Sequence, residues 1–131
     1  MIAFDSNIFM YVLDSNGAFG REAQRLLEQG QGDGCASELV YAELLSAPLF
    51  VDPMPRKAAT DFLDQQRLVY IRPDREVMLQ AAAIRAAAKI KVSLADALHL
   101  ACALQAGAEV FITNDHDIAK LRIDGLIIQK L

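Results

Sequence analysis

The sequence predicts an α/β fold built on a mostly parallel sheet. Short apolar runs, among them IAF, LVYI and EVFIT, alternate along the 131-residue chain with longer helical stretches. Each run ends at a polar or turn-forming residue, as buried strands do. The chain is 53% hydrophobic and 23% charged, which is typical of a globular protein. We therefore expect one domain over residues 1–131.

The first half of the chain alternates in this way. A strand in IAF ends at Asp5 and is followed by the helical stretch NIFMYVLD. An amphipathic helix over 21–29 is closed by Gly30. After a QGDG loop, a short strand from Cys35 leads into a helix from about Ser37 that stops before Pro48. We expect FVDPMP to be a proline-rich turn.

The second half repeats the alternation. We predict helices over 56–66, 75–90, 93–106 and 115–121, and strands over 68–71, 109–113 and 126–129. Pro73 ends the first of these strands, and Gly107 closes the helix over 93–106.

Four acidic residues stand out in this pattern. Asp5 and Asp115 follow predicted strands, whereas Glu43 and Asp96 lie in otherwise apolar helices. Sites in parallel sheets form beyond the carboxyl ends of the strands. Asp and Glu are rarely buried unless they are paired or bind a metal. The four acids are therefore candidates for one site.

Each acid also has a structural interpretation. Asp5 and Asp115 fit helix N-caps, and Ser93 with Asp96 resembles a capping box. Glu43 could face solvent. The two interpretations are compatible, because a helix N-terminus stabilises the ionised carboxylate that a metal ligand must be.

If the four carboxylates lie close together, a positive charge must offset their mutual repulsion. Two carboxylates about 5 Å apart repel by about 3 kcal/mol at an effective dielectric near 20. No Lys or Arg adjoins Asp5, Glu43 or Asp96 in sequence. Hard oxygen ligands favour Mg²⁺ or Mn²⁺. Zinc is disfavoured, because the chain has two histidines and two cysteines without C-x-x-C spacing.

The bulk composition sets further limits. The net charge of −4 does not indicate a nucleic-acid binder, although a local basic patch would suffice. The amino terminus lacks the basic region of a signal peptide, and no apolar run approaches the ~20 residues that span a bilayer. Cys35 and Cys102 suggest no disulfide framework. We expect a cytoplasmic protein.

Four segments resemble the PIN-domain ribonucleases, and most closely the VapC-type toxins of prokaryotic toxin–antitoxin pairs. They are FDSN, ELVYAELL, SLADALHLACALQAGAEVFITND and IDGLIIQ. The resemblance covers nearly the whole chain. It implies a three-layer α/β/α fold with a five-stranded, mostly parallel sheet. It also implies Mg²⁺- or Mn²⁺-dependent endonucleolytic cleavage of RNA, a homodimer, and inhibition by an antitoxin protein.

The resemblance also implies roles for single residues. The acidic quartet of the family matches Asp5, Glu43, Asp96 and Asp115. We expect Asp5, Glu43 and Asp96 to hold one metal ion, and Asp5 with Asp115 a second. Further matches are Asp117 as an additional donor to the second ion, Thr113 as support for Asp5, and Asn7 as a brace.

Other residues carry weaker signals. Lys89 and Lys91 precede the Asp96 helix, and Lys120 and Arg122 follow Asp115, so these four could contact RNA phosphates. A solvated surface is an equally good interpretation. His99, one turn after Asp96, could shuttle a proton, but a packed helix histidine is the better prediction. We expect His116 to lie on the surface.

Three alternative functions remain. A phosphatase of the haloacid dehalogenase type also begins with Asp after a strand, but it needs a second Asp where this chain has Asn7. A degenerate PIN scaffold would bind RNA or protein without catalysis, which the presence of all four acids disfavours. A PIN nuclease of RNA processing is the third, and the short single-domain chain favours the toxin over it.

Overall fold

The computed structural model describes residues 1–14 and 17–131. Its strands form one five-stranded sheet in the order β3-β2-β1-β4-β5, and all neighbouring strands run parallel. The strands are β1 (Ile2–Phe4), β2 (Gly34–Ser37), β3 (Leu68–Ile71), β4 (Val110–Thr113) and β5 (Ile127–Lys130). The predicted α/β fold with a five-stranded parallel sheet is confirmed.

Helices connect the strands. They are α1 (Ser6–Leu13), α2 (Gly20–Gln29), α3 (Leu39–Leu45), α4 (Pro53–Gln65), α5 (Arg75–Ala87) and α6 (Leu94–Gln105). Single 3₁₀ turns occur at Pro48–Phe50 and Ile118–Lys120. The connections between parallel strands contain helices because the chain must cross the sheet to begin the next strand.

Both faces of the sheet are covered, which gives three layers. Ala3 and Phe111 pack into a core with residues of α5 and α6. Their neighbours Phe4 and Ile112 pack into a second core with residues of α1 to α4. Successive side chains of a strand point to opposite faces, so a continuous apolar run serves both cores.

Three element boundaries differ from the predictions. The expected proline-rich turn contains the start of α4, because Pro53 occupies the first helical turn, where a missing N–H costs nothing. The helix predicted to reach residue 90 ends at Ala87. Beyond it Val92 is buried, and the Arg85 Nε–H donates to the Val92 carbonyl at 3.0 Å. The helix predicted over 115–121 is only the 3₁₀ turn.

The sheet order brings the carboxyl ends of β1 and β4 side by side. Phe4 is in register with Ile112, and the Asp5 N–H donates to the Ile112 carbonyl at 2.9 Å. Asp5 therefore lies next to the Thr113–Asp115 segment, although 108 residues separate Asp5 from Thr113 in sequence.

Over the described part of the chain, the helices are too short or too polar to cross a membrane.

Candidate active site

Asp5 is the most buried of the predicted site acids, with 3% of its surface exposed. Its Oδ1 accepts from the Ser6 N–H at 2.8 Å, so Asp5 caps α1. Its Oδ2 accepts from the Thr113 hydroxyl at 2.7 Å. Burial raises the pKa of Asp5 above its ordinary value, despite these hydrogen bonds. The fold thus holds this carboxyl in one fixed orientation.

Asn7 and Thr113 connect Asp5 to the end of β4. The Asn7 Nδ2–H lies 3.4 Å from both Asp5 Oδ2 and Thr113 Oγ1, and Asn7 Oδ1 accepts from the Asn114 N–H at 3.3 Å. Thr113 Oγ1 also accepts from the Asp115 N–H at 3.0 Å. One hydroxyl therefore contacts both Asp5 and the backbone of Asp115.

Asp115 begins the turn that follows β4. Its Oδ1 accepts from the Asp117 N–H at 2.8 Å and from the Ile118 N–H at 2.9 Å. These are the capping contacts expected of Asp115. Asp117 is exposed and lies 3.7 Å from the Lys120 ammonium. Asp117 also lines the cleft that contains Asp96 and Asp115.

Asp96 lies in the first turn of α6. The Ser93 hydroxyl caps this helix by accepting from the Asp96 N–H at 3.1 Å. Burial raises the pKa of Asp96, and the nearby charges of Asp5, Asp115 and Glu43 raise it further. Asp96 and Asp115 line the same cleft, and the Thr113 hydroxyl contacts both the Asp5 carboxylate and the Asp115 N–H. The fold therefore gathers Asp5, Asp96 and Asp115 at this edge of the sheet.

His99 supplies a partner that the sequence analysis missed. The side chain of His99, which is 1% exposed, hydrogen-bonds through Nε2 to Oε1 of Glu43. Burial alone would lower the pKa of His99, but the Glu43 bond and the charges of Asp5, Glu43 and Asp96 raise it overall. The same hydrogen bond lowers the pKa of Glu43. The pairing was not readable, because 56 residues separate Glu43 from His99.

The acids have the donor chemistry of a metal site but not its complete arrangement. Within residues 1–14 and 17–131, no group of three or more His, Cys, Asp or Glu side chains is placed so that it could hold a metal ion. Glu43 is engaged by His99, and one Asp115 oxygen by two backbone N–H groups. The donor chemistry nevertheless fits, because carboxylate oxygens are the ligands that suit Mg²⁺ or Mn²⁺.

The predicted cations lie on one side of the acids. A cleft of about 170 Å³ is lined by Asp96, Asp115, Asp117 and Lys91. Lys89, Lys120 and Arg122 line an adjacent groove. His116 is exposed, as expected. The structure thus brings the four basic residues to one flank of the acid cluster.

Comparisons with solved structures give the fold an independent match. A toxin–antitoxin complex from Klebsiella pneumoniae is 23% identical, with a TM-score of 0.76 over 97% of this chain and 96% of that one. VapBC2 from Rickettsia felis, bound to promoter DNA, is 19% identical, with a TM-score of 0.72 over 99% and 98%. The Mycobacterium tuberculosis toxin VapC20, described as cleaving the sarcin–ricin loop, is 17% identical, with a TM-score of 0.74 over 90% and 92%.

No curated protein matches the chain in sequence. The model of the PIN domain family, in contrast, matches residues 2–124, which is nearly the whole chain. The resemblance noted in the sequence is thereby confirmed, and the chain belongs to the PIN-domain family.

Proposed function

We propose that the protein is a Mg²⁺- or Mn²⁺-dependent endoribonuclease that hydrolyses RNA phosphodiester bonds and acts as the toxin of a toxin–antitoxin pair. One observation carries the proposal: Asp96 and Asp115 line one cleft at the carboxyl edge of the sheet, and the Thr113 hydroxyl joins Asp5 to the backbone of Asp115 there. Acids kept this close oppose folding unless a cation joins them when the protein works.

Each site residue has a proposed role. Asp5, Glu43 and Asp96 would hold one metal ion, and Asp5 with Asp115 a second, with Asp117 as an additional donor. Bound ions of this kind acidify a water molecule and neutralise charge that develops on the phosphate. Thr113 and Asn7 hold Asp5 through the contacts at 2.7 and 3.4 Å. His99 holds Glu43.

RNA cleavage by the wild type and by Asp5→Asn tests the proposal. Asn keeps the shape of Asp5 and can still cap α1, so the variant should fold. We expect Mg²⁺-dependent cleavage to fall by at least about a hundredfold, as losses of charge at metal sites do. Asp52→Asn is the matched control, since Asp52 is exposed and makes no capping bond. Equal activity of folded Asp5→Asn and wild type would refute the assignment.

Calorimetric titration with Mn²⁺ separates the nuclease from an inactive PIN scaffold. A nuclease should bind Mn²⁺ at a site that is lost in Asp96→Asn. A scaffold should show no binding that depends on Asp96. RNA cleavage alone does not distinguish a toxin from an RNA-processing nuclease. A small reading frame for an antitoxin next to the gene of this protein would favour the toxin.

An antitoxin partner and a homodimer complete the proposal. Similar solved structures are described as toxin–antitoxin complexes, which supports the first. For the second, the stretches 39–50 and 62–69 leave Leu49 and Val69 more than half exposed. Size-exclusion chromatography with light scattering should give twice the mass of one 131-residue chain. A monomer at micromolar concentration would contradict the homodimer.

We further place the protein in the cytoplasm as one functional domain over residues 1–131. Both cysteines are free and buried, which suits a reducing compartment. Fractionation of cells that produce the tagged protein would check the location.

A further inference from the structure

Two polar side chains of α1 reach the turn that follows β4. Asn7 and Tyr11 are four residues apart in α1, so they lie one turn apart on the same face of the helix. Asn7 Oδ1 accepts from the Asn114 N–H at 3.3 Å, and the Tyr11 hydroxyl accepts from the Asn114 Nδ2–H at 2.9 Å. Helix α1 therefore holds both the backbone and the side chain of Asn114.

Asn114 lies between two residues of the candidate site. Before it, the Thr113 hydroxyl contacts the Asp5 carboxylate, and after it comes Asp115. Asp5 caps the N-terminus of α1, the same helix that carries Tyr11. The bond between Tyr11 and Asn114 thus closes a ring of contacts that runs from Asp5 along α1 to Asp115. Since a helix has a fixed rise of about 1.5 Å per residue, this ring restricts the distance between the Asp5 and Asp115 carboxylates.

The Asn114 amide is poorly suited to a role in stability alone. Within the part of the chain that the structure describes, its Oδ1 is buried without a hydrogen-bond partner. Buried polar atoms nearly always have a partner, and an unpaired one destabilises the folded state. An aliphatic side chain at this position would avoid that penalty. The amide is therefore better explained by the contact that its other end makes with Tyr11.

Tyr11 presents its hydroxyl from a fixed ring. The ring packs against the core on the α1–α4 side of the sheet, and its centroid lies 5.1 Å from that of the Phe19 ring. A side chain held in this way has little freedom to follow a moving partner. The Tyr11 hydroxyl therefore determines where the Asn114 amide lies, and with it the start of the turn at Asp115.

We propose that Tyr11 and Asn114 are positioning residues that set the separation of the Asp5 and Asp115 carboxylates and thereby make the site prefer Mg²⁺ to Ca²⁺. The inference rests on the proposed metal-dependent function and adds how the cation is selected. Mg²⁺ requires near-ideal octahedral geometry with oxygens at roughly 2.0–2.1 Å, whereas Ca²⁺ accepts irregular sets of oxygens at roughly 2.3–2.6 Å. Carboxylates that cannot move apart favour the smaller ion, and a site that can widen loses this preference.

The first test removes only the Tyr11 hydroxyl. Tyr11→Phe keeps the ring against Phe19, and Tyr70→Phe is the matched control, since it removes a hydroxyl that donates to the Leu63 carbonyl at 2.7 Å in the edge strand β3. Calorimetry measures the affinities for Mg²⁺ and Ca²⁺, and circular dichroism checks folding. Tyr11→Phe should lower the Mg²⁺ affinity about tenfold, as loss of a contact behind a metal ligand does. The Ca²⁺ affinity should change much less, because Ca²⁺ tolerates irregular coordination.

The ratio of the two affinities separates positioning from stability. A purely structural loss would weaken the binding of both ions in parallel and leave the ratio unchanged. Tyr70→Phe should keep the wild-type ratio. An unchanged ratio in folded Tyr11→Phe, or an equal fall of the ratio in Tyr70→Phe, would overturn the proposal.

The second test asks whether the two residues act through one contact. Asn114→Ala should lower the ratio of Mg²⁺ to Ca²⁺ affinity as Tyr11→Phe does. The double variant Tyr11→Phe/Asn114→Ala should then lose no more than either single variant, because residues that share one contact are not additive. Additive losses would show that Tyr11 and Asn114 act separately, which contradicts the proposal.

Failure of this inference differs from failure of the proposed function. A wild type that binds Mg²⁺ at a site lost in Asp96→Asn, with an unchanged ratio in Tyr11→Phe, would refute the positioning role alone. A wild type that binds neither Mg²⁺ nor Mn²⁺ would refute the metal site and the positioning role together.

Discussion

His99 lies buried among the site acids and fixes the position of Glu43. Its Nε2 contacts the Glu43 carboxylate, whereas its buried Nδ1 has no hydrogen-bond partner in the described residues. Glu43 is more exposed than His99, with 37% of its side-chain surface accessible. An exposed Glu on a helix would sample several rotamers, so the hydrogen bond to a rigid buried partner restricts it. His99 is in this sense a positioning residue.

Substitution of His99 should therefore weaken metal binding through Glu43. We expect His99→Leu to lower Mn²⁺ affinity about tenfold to a hundredfold, the usual effect of losing a partner behind a metal ligand. His99→Gln keeps a donor that can reach Glu43 and should restore most of the affinity. Calorimetry gives the affinities, and chemical denaturation checks that both variants fold. Equal affinities for the Leu and Gln variants would show that His99 only fills space.

At the scale of elements, helix N-termini carry two of the site acids. Asp5 caps α1, and Asp96 lies in the first turn of α6, which Ser93 caps. The partial positive charge at a helix N-terminus stabilises a carboxylate there. The start of α6 thus fixes both the position of Asp96 and part of its electrostatic surroundings.

Two substitutions that each remove a helix cap distinguish an effect on helix stability from an effect on the proposed metal site. Ser93→Ala and Asp74→Ala each remove the side-chain cap of one helix, α6 and α5 respectively. Each should lower the free energy of unfolding by about 1 kcal/mol. Only Ser93→Ala should also lower Mn²⁺ affinity, because α5 contributes none of the predicted ligands. Equal Mn²⁺ affinities of the two variants would mean that the α6 cap does not position Asp96.

Most elements could be predicted because each has a local signal. Strand β4 is a short apolar run that ends at polar residues, and Gly107 closes the helix before it. The early end of α5 had no such signal, since it depends on the burial of Val92 in a core formed by distant residues. The proximity of Asp5 and Asp115 could be expected because both follow predicted strands of a parallel sheet, whereas the adjacency of β1 and β4 is seen only in the structure. The partner of Glu43 could not, because tertiary packing alone brings His99 to it.

At the scale of the whole molecule, one of the two cores on the sheet encloses both cysteines. Cys35 and Cys102 pack in the core on the α5–α6 side. Burial raises the pKa of the Cys35 thiol to about 11, and the neighbouring Cys102 adds to the effect. The folded state therefore favours the protonated thiol. This contribution to stability is complete below the unfolded pKa and is lost as the pH rises through about 11.

Thiol reactivity should report on this burial. At pH 8 the native protein should react very slowly with a disulfide reagent, because a buried, protonated thiol is a poor nucleophile. In denaturant, both cysteines should react at once. Absorbance of the released thiolate gives the number and rate of reacting groups. Rapid reaction of two thiols per chain in the native protein would contradict the enclosed core.

The proposed metal site predicts that the stability of the whole molecule depends on metal. Burial raises the pKa of Asp96, and repulsion by Asp5, Asp115 and Glu43 raises it further, against the effect of the Ser93 hydrogen bond. Asp96→Asn removes this repulsion. In EDTA at pH 7, the variant should be more stable than the wild type by on the order of 1 kcal/mol.

With Mn²⁺ present, the wild type should instead be more stable than Asp96→Asn. A ligand at a hundred times its dissociation constant stabilises the folded state by about 2.7 kcal/mol, and Asp96→Asn should gain little of this. Urea denaturation of both proteins, with and without Mn²⁺, measures the four free energies of unfolding. Asp52→Asn should follow the wild type under both conditions. Two results would show that Asp96 is not a metal ligand. One is that Asp96→Asn is less stable than the wild type in EDTA, and the other is that Mn²⁺ stabilises Asp96→Asn as much as it stabilises the wild type.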